Sequence, residues 1–97
     1  MSAPCPEYGF IVSMELAASL SERERDRLRD AWEDLLASRG LVSEGHVDDE
    51  EWWELPVLGE ASQATDADRE AVRAWLERRG ELRSWNVGEL VDVRDVD

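Results

Sequence analysis

The sequence predicts an α+β fold of the ferredoxin-like, split βαβ type, with a four-stranded antiparallel sheet and two helices on one of its faces. Three observations carry that prediction. A period-two stretch opens the ordered part of the chain. Two amphipathic stretches, one in each half, start at a Ser or Thr and stop at a Gly. The apolar segments between and after them are too short for helices and suit strands.

YGFIVSMEL is the first strand. Phe10, Val12, Met14 and Leu16 alternate with Ile11, Ser13 and Glu15. SERERDRLRDAWEDLLASRG is the first helix. Ser21 and Glu24, three residues apart, form the pattern of a capping box. Leu28, Ala31, Trp32, Leu35 and Leu36 make one helical stripe, and Gly40 is the stop. The acids and arginines that fill the other positions are a solvated face.

LVSEGHV, residues 41–47, reads as a weaker second strand, softened by Gly45. The acids Asp48, Asp49, Glu50 and Glu51 turn the corner in solvent. WWELPVLGE then enters the third strand. Adjacent strand residues face opposite ways, so Trp53, Leu55 and Val57 share one face while Trp52 and Glu54 share the other. Pro56 cannot donate to a ladder, so this strand is expected to bend there or to run its second half along an edge.

ASQATDADREAVRAWLERRG repeats the helical grammar. Thr65 is the N-cap, and Asp66 and Asp68 lie in the first turn, where the helix dipole favours negative charge. Ala71, Val72, Trp75 and Leu76 are the stripe. Arg78 and Arg79 are expected in the last turn, before Gly80. In ELRSWNVGELVDVRDVD the expectation is a turn or short strand around Trp85, a break near Asn86 and Gly88, and a strand over 90–93. Residues 1–7 form a short tail ahead of one domain over 8–97. The order is β-α-β-β-α-β, and right-handed crossovers place the first and third strands in the centre of the sheet.

The segment WELPVLGEASQATDADREAVRAWLERRG, followed by GELVDV, resembles the C-terminal half of the YggL family of small bacterial proteins. YGFIVSMEL and the capped helix after it are similar to the first half, so the resemblance spans about residues 8–93. It implies a cytoplasmic protein that associates with the large ribosomal subunit, and it implies no enzymatic activity. It carries over no set of binding residues. Family members often have a basic segment ahead of the first strand, where this sequence has MSAPCPE.

The residues themselves narrow the function further. The 97-residue chain carries 24 acids against 11 bases, a formal net charge of −13, and every base is an arginine. Nucleic-acid affinity rests largely on cations that neutralise phosphates, so general nucleic-acid binding is disfavoured. The expected partner is a basic protein or a ribonucleoprotein surface. A second reading of the same charge is a stoichiometric inhibitor, an immunity or anti-defence protein that fills the basic groove of a nuclease or nucleic-acid-binding complex. No stretch is long and apolar enough to span a membrane, no signal sequence is evident, and Cys5 alone cannot make an internal disulfide. A reduced, cytoplasmic setting is expected, and oligomeric state is left open.

No metal or cofactor site is expected. His46 with the four contiguous acids lacks both the alternating spacing of a calcium loop and the further His or Cys of a zinc site, so it reads as a solvated hairpin tip. A lone His gives no triad, and Cys5 on a proline-flanked tail has no group to activate it. The candidate surface is the sheet face away from the helices. Trp52, Glu54, Ile11 and Glu15 would lie on it, with Asp48, Asp49, Glu50 and Glu51 at its rim. A protein partner would use Trp52 as its anchor and the acids to steer basic groups. The structural alternative is that Trp52 packs against the last segment, near Trp85.

Overall fold

The computed structural model describes residues 8–43, 47–48, 51–60 and 63–92. Strand β1 is Tyr8–Leu16, helix α1 is Glu22–Ser38, β2 is Leu41–Ser43 and β3 is Val47–Asp48. Strand β4 is Trp52–Gly59, α2 is Asp66–Glu77, β5 is Leu82–Val87 and β6 is Val91–Asp92. The main strands stand in the order β2-β4-β1-β5, with β3 paired to β4 and β6 to β1. All these pairings are antiparallel. The first and third long strands are central, as the split βαβ pattern requires.

Both helices are started by reciprocal caps. The Ser21 hydroxyl accepts from the Glu24 N–H at 3.1 Å, and a Glu24 carboxylate oxygen accepts from the Ser21 N–H at 3.2 Å. Thr65 and Asp68 repeat this arrangement at α2. Each cap contributes about 1 kcal/mol by satisfying donors that the first turn leaves free. At the other end of α1, Arg39 is the C-cap, and Gly40 takes φ +68°, a left-handed turn that glycine adopts without strain. Helix α2 stops earlier than its arginines suggest. Arg78 is its C-cap, with its N–H directed to the Leu76 and Trp75 carbonyls, and Arg79 lies beyond, its guanidinium 4.4 Å from the centre of the Trp75 ring.

Each helix buries its stripe against the same face of the sheet. Leu28, Trp32 and Leu36 of α1 and Val72 and Leu76 of α2 meet Phe10, Val12, Met14 and Leu16 of β1 and Trp53, Leu55 and Val57 of β4. The two helices meet through Trp32 and Trp75, whose rings lie 5.6 Å apart and tilted by 56°, a favourable offset for aromatic pairs. Arg29 of α1 lies over Trp53, 5.1 Å from the ring centre.

Three sequence expectations need correction. Pro56 does not put the second half of β4 at an edge, since that half pairs with both β1 and β2. The Leu16 N–H donates to the Glu51 carbonyl at 2.7 Å, in the same register that pairs Ile11 with Pro56. Antiparallel pairs alternate, so Trp53, Leu55 and Val57 turn their N–H groups to β1, while Pro56 turns the other way. On that side the β2 pairing ends at Ser43↔Val57 and the β3 pairing begins at Val47↔Glu54, so the missing donor falls between the two.

Second, the pairing of residues 41–47 does not keep one register, and residues 44–46 lie outside the described residues. Four steps along the chain from Ser43 to Val47 oppose three from Val57 to Glu54, and the register changes between them. Asp48 belongs to β3, opposite Trp53, rather than to the turn.

Third, the fourth sheet strand is β5 itself, running through Trp85 and Asn86, and the later segment supplies only the short β6. A bulge hides its pattern. Leu82 faces Leu16 and Trp85 faces Met14, so three steps on β5 match two on β1. Leu82, Trp85 and Val87 therefore all turn towards the core despite uneven spacing.

Candidate partner-binding surface

Among the described residues, no helix packs on the face of the sheet away from α1 and α2. Directly paired residues of neighbouring strands project to the same side, so the pairings order this face in rows. At one end Trp52, Glu15 and Ser84 lie side by side across β4, β1 and β5. The next row is Glu54, Ser13 and Asn86, and then come Pro56 and Ile11. Beyond them Val42, Leu58, Gly9 and Val91 form an apolar end.

Trp52 is 42% exposed, whereas its neighbour Trp53 is 2% exposed on the helical side. Trp85 does not cover Trp52. It pairs with Met14, on the core side, and packs against the core cluster. The notion that Trp52 is a packed residue beneath the last segment is thus wrong for Trp85, and the residue that β5 supplies in the row of Trp52 is Ser84.

Two carboxylate side chains share the face of the exposed ring, those of Glu15 and Glu54. Glu15 is the direct cross-strand neighbour of Trp52, and its Oε1 accepts from the Ser84 Oγ at 3.1 Å, which fixes the carboxylate beside the indole. Glu54 lies two residues along the same strand and Glu51 is exposed one residue before it. Ile11 is on this face but sits beside Pro56, away from the tryptophan, within the apolar part. Asp48 is placed by its backbone in β3. Asp49, Glu50, His46 and Cys5 lie outside the described residues.

Sequence reasoning missed the contribution of β5 to this surface, Ser84 and Asn86, because the bulge conceals which of its residues alternate outward. It also missed the apolar end. Leu58, Val42 and Val91 carry the signal: each is an apolar residue on the outward side of its own strand, visible only once the register is known.

No group of three or more His, Cys, Asp or Glu side chains among the described residues is arranged to hold a metal ion. Among them, no helix is long and apolar enough to cross a membrane. An antiparallel sheet backed by two helices on one face, with Trp52 exposed on the other, defines a small α+β protein of the split βαβ type. Over residues 5–94, nearly the whole chain, the sequence matches the model of the family described as YggL 50S ribosome-binding protein, and the chain belongs to that family. No curated protein matches it.

Proposed function

We propose that the protein is a non-enzymatic accessory factor that associates with the large ribosomal subunit through the face of its sheet away from the helices. The family carries the ribosomal part of this reading. The observation that supports the surface is Trp52, a large aromatic side chain 42% exposed, with Glu15 beside it across the strands and Glu54 two residues along its own strand. A tryptophan of this kind suits the anchor of an interface, and these acids suit a basic partner. With a net charge of −13, contact with basic ribosomal proteins is favoured over contact with rRNA phosphates. The acids 48–51 would extend the rim and speed encounter.

Co-sedimentation with 50S particles at low salt tests the reading. The protein should travel with the particle, and Trp52→Ala should weaken the association by about tenfold or more while leaving the fold intact. Changing Asp48, Asp49, Glu50 and Glu51 together to Asn or Gln should slow association and flatten its salt dependence. A wild-type protein that stays at the top of the gradient would overturn the ribosomal reading. Retained affinity in Trp52→Ala would move the contact to another surface.

A further inference from the structure

A groove of about 350 Å³ opens on the helical side of the sheet, between α1 and the edge strand β2. Its walls are largely apolar: Trp32, Leu36, Leu41, Trp53 and Leu55, with Ser43 beside them. That volume is at the bottom of the range, about 300–1,000 Å³, that encloses a drug-sized ligand, and it suits one large side chain. Two buried polar atoms among these residues have no hydrogen-bond partner, Trp32 Nε1 and Ser43 Oγ. Trp32 is only 2% exposed, and buried donors in native structures are rarely left without an acceptor.

The backbone next to the groove is also unpaired on one side. Strand β2 ends the sheet order. The Glu60 N–H donates to the Gly40 carbonyl at 2.9 Å, in the register that pairs Val42 with Leu58. Val42 therefore exchanges its backbone bonds with β4, and the intervening Leu41 and Ser43 turn their N–H and C=O groups outward. Among the described residues no strand pairs with that edge. An edge of this kind is a template for a further strand.

We propose that this edge and groove capture an extended peptide segment of a protein partner, added beside β2, with one apolar side chain in the groove and Arg or Lys next to it. The peptide backbone would pair with Leu41 and Ser43. The apolar side chain of the peptide would lie against the Trp32 ring, which lines the groove. Glu33 and Glu60 line the groove against one cation, Arg29, which lies over the Trp53 ring, so the excess of carboxylates there and the net charge of the chain favour a basic segment. The groove lies on the opposite side of the sheet from Trp52, so the proposal goes beyond the ribosomal reading and fails separately from it.

Titration of the labelled protein with a capped peptide, Ac-Arg-Val-Arg-Leu-Arg-Val-Arg-NH2, followed by amide and indole NMR shifts, tests this. The Trp32 indole and the Leu41 and Ser43 amides should move together. A peptide of the same charge with Gly in place of Val and Leu should bind at least about tenfold more weakly. Ala37 is exposed and lines the groove, so Ala37→Trp fills it from outside the core. Ser43→Pro removes an outward N–H that the β2–β4 pairing does not use. Each variant should weaken binding by about tenfold or more. Equal binding of the glycine peptide, or wild-type affinity in a folded Ala37→Trp, overturns the proposal. If circular dichroism finds Ser43→Pro unfolded, Ala37→Trp decides alone.

Discussion

Replacement of Trp53 by Ala should lower the free energy of unfolding by about 4 kcal/mol, and the same change at Trp52 by about 1 kcal/mol or less. The two residues are adjacent and chemically identical, and their difference is a matter of which side of β4 they face. Trp53 is 2% exposed, packs in the core cluster and lies beneath the Arg29 guanidinium at 5.1 Å. Removing it leaves a cavity between α1 and the sheet and strips Arg29 of its aromatic face. Trp52 leaves 42% of its surface in water and faces no helix. A domain of this size has only about 5–15 kcal/mol of stability in total, so Trp53→Ala approaches the limit of folding at room temperature. Urea unfolding of the two variants decides the matter. Equal losses at both positions would mean that the assignment of faces is wrong.

Asp68→Ala is expected to cost about 3 kcal/mol, or roughly 15 °C in Tm. One carboxylate here serves two elements. Its Oδ2 accepts from the Thr65 N–H at 2.9 Å and from the Thr65 hydroxyl at 3.1 Å, which closes the cap of α2. Its Oδ1 accepts from the Arg39 Nε at 2.9 Å, which ties that cap to the residue ending α1. Asp68 is only 8% exposed, so its partners have little water to replace it. Arg39 is 34% exposed, which screens the ion pair and keeps the expected loss below that of a fully buried one. Thermal unfolding of Asp68→Ala, Arg39→Ala and the double variant separates the two roles. Strictly additive losses would show that the Arg39 contact contributes nothing of its own.

The parts of the fold that could be read in the sequence are those where a local rule holds without interruption. Period two is unbroken in β1 and β4, so the buried rank and the exposure of Trp52 were both legible. The helix starts were legible because Ser21 and Thr65 each stand before a stripe. The Asp68 half of the second capping box has the same spacing from Thr65 as Glu24 from Ser21, but Asp is the shorter acid and its place in the first turn reads equally as a helix-dipole charge. The illegible parts are those where pairing to a distant strand sets the geometry. Leu82, Trp85 and Val87 do not alternate, and only the bulge against β1 brings them to one side. The two registers at Ser43 and Val47 likewise depend on β4, not on local composition. The candidate surface divides in the same way. Trp52, Glu54, Ile11 and Glu15 come from unbroken strands, whereas Ser84 and the apolar end needed the register of the whole sheet. The groove beside β2 had no sequence signature, because it is space left between elements rather than a property of either.

The orientation of Pro56 has a consequence for how the chain finds its alignment. In the native register its missing donor is turned away from β1, between the two short partner strands. Sliding β4 by one residue against β1 would swing that ring round to the central ladder and delete a bond there, worth about 1 kcal/mol. The same slip would carry Trp53, Leu55 and Val57 into water and Trp52 and Glu54 under the helices. A residue ill-suited to the middle of a sheet thus penalises the misaligned hairpin and spares the correct one, and works as a proofreading mark for strand assembly.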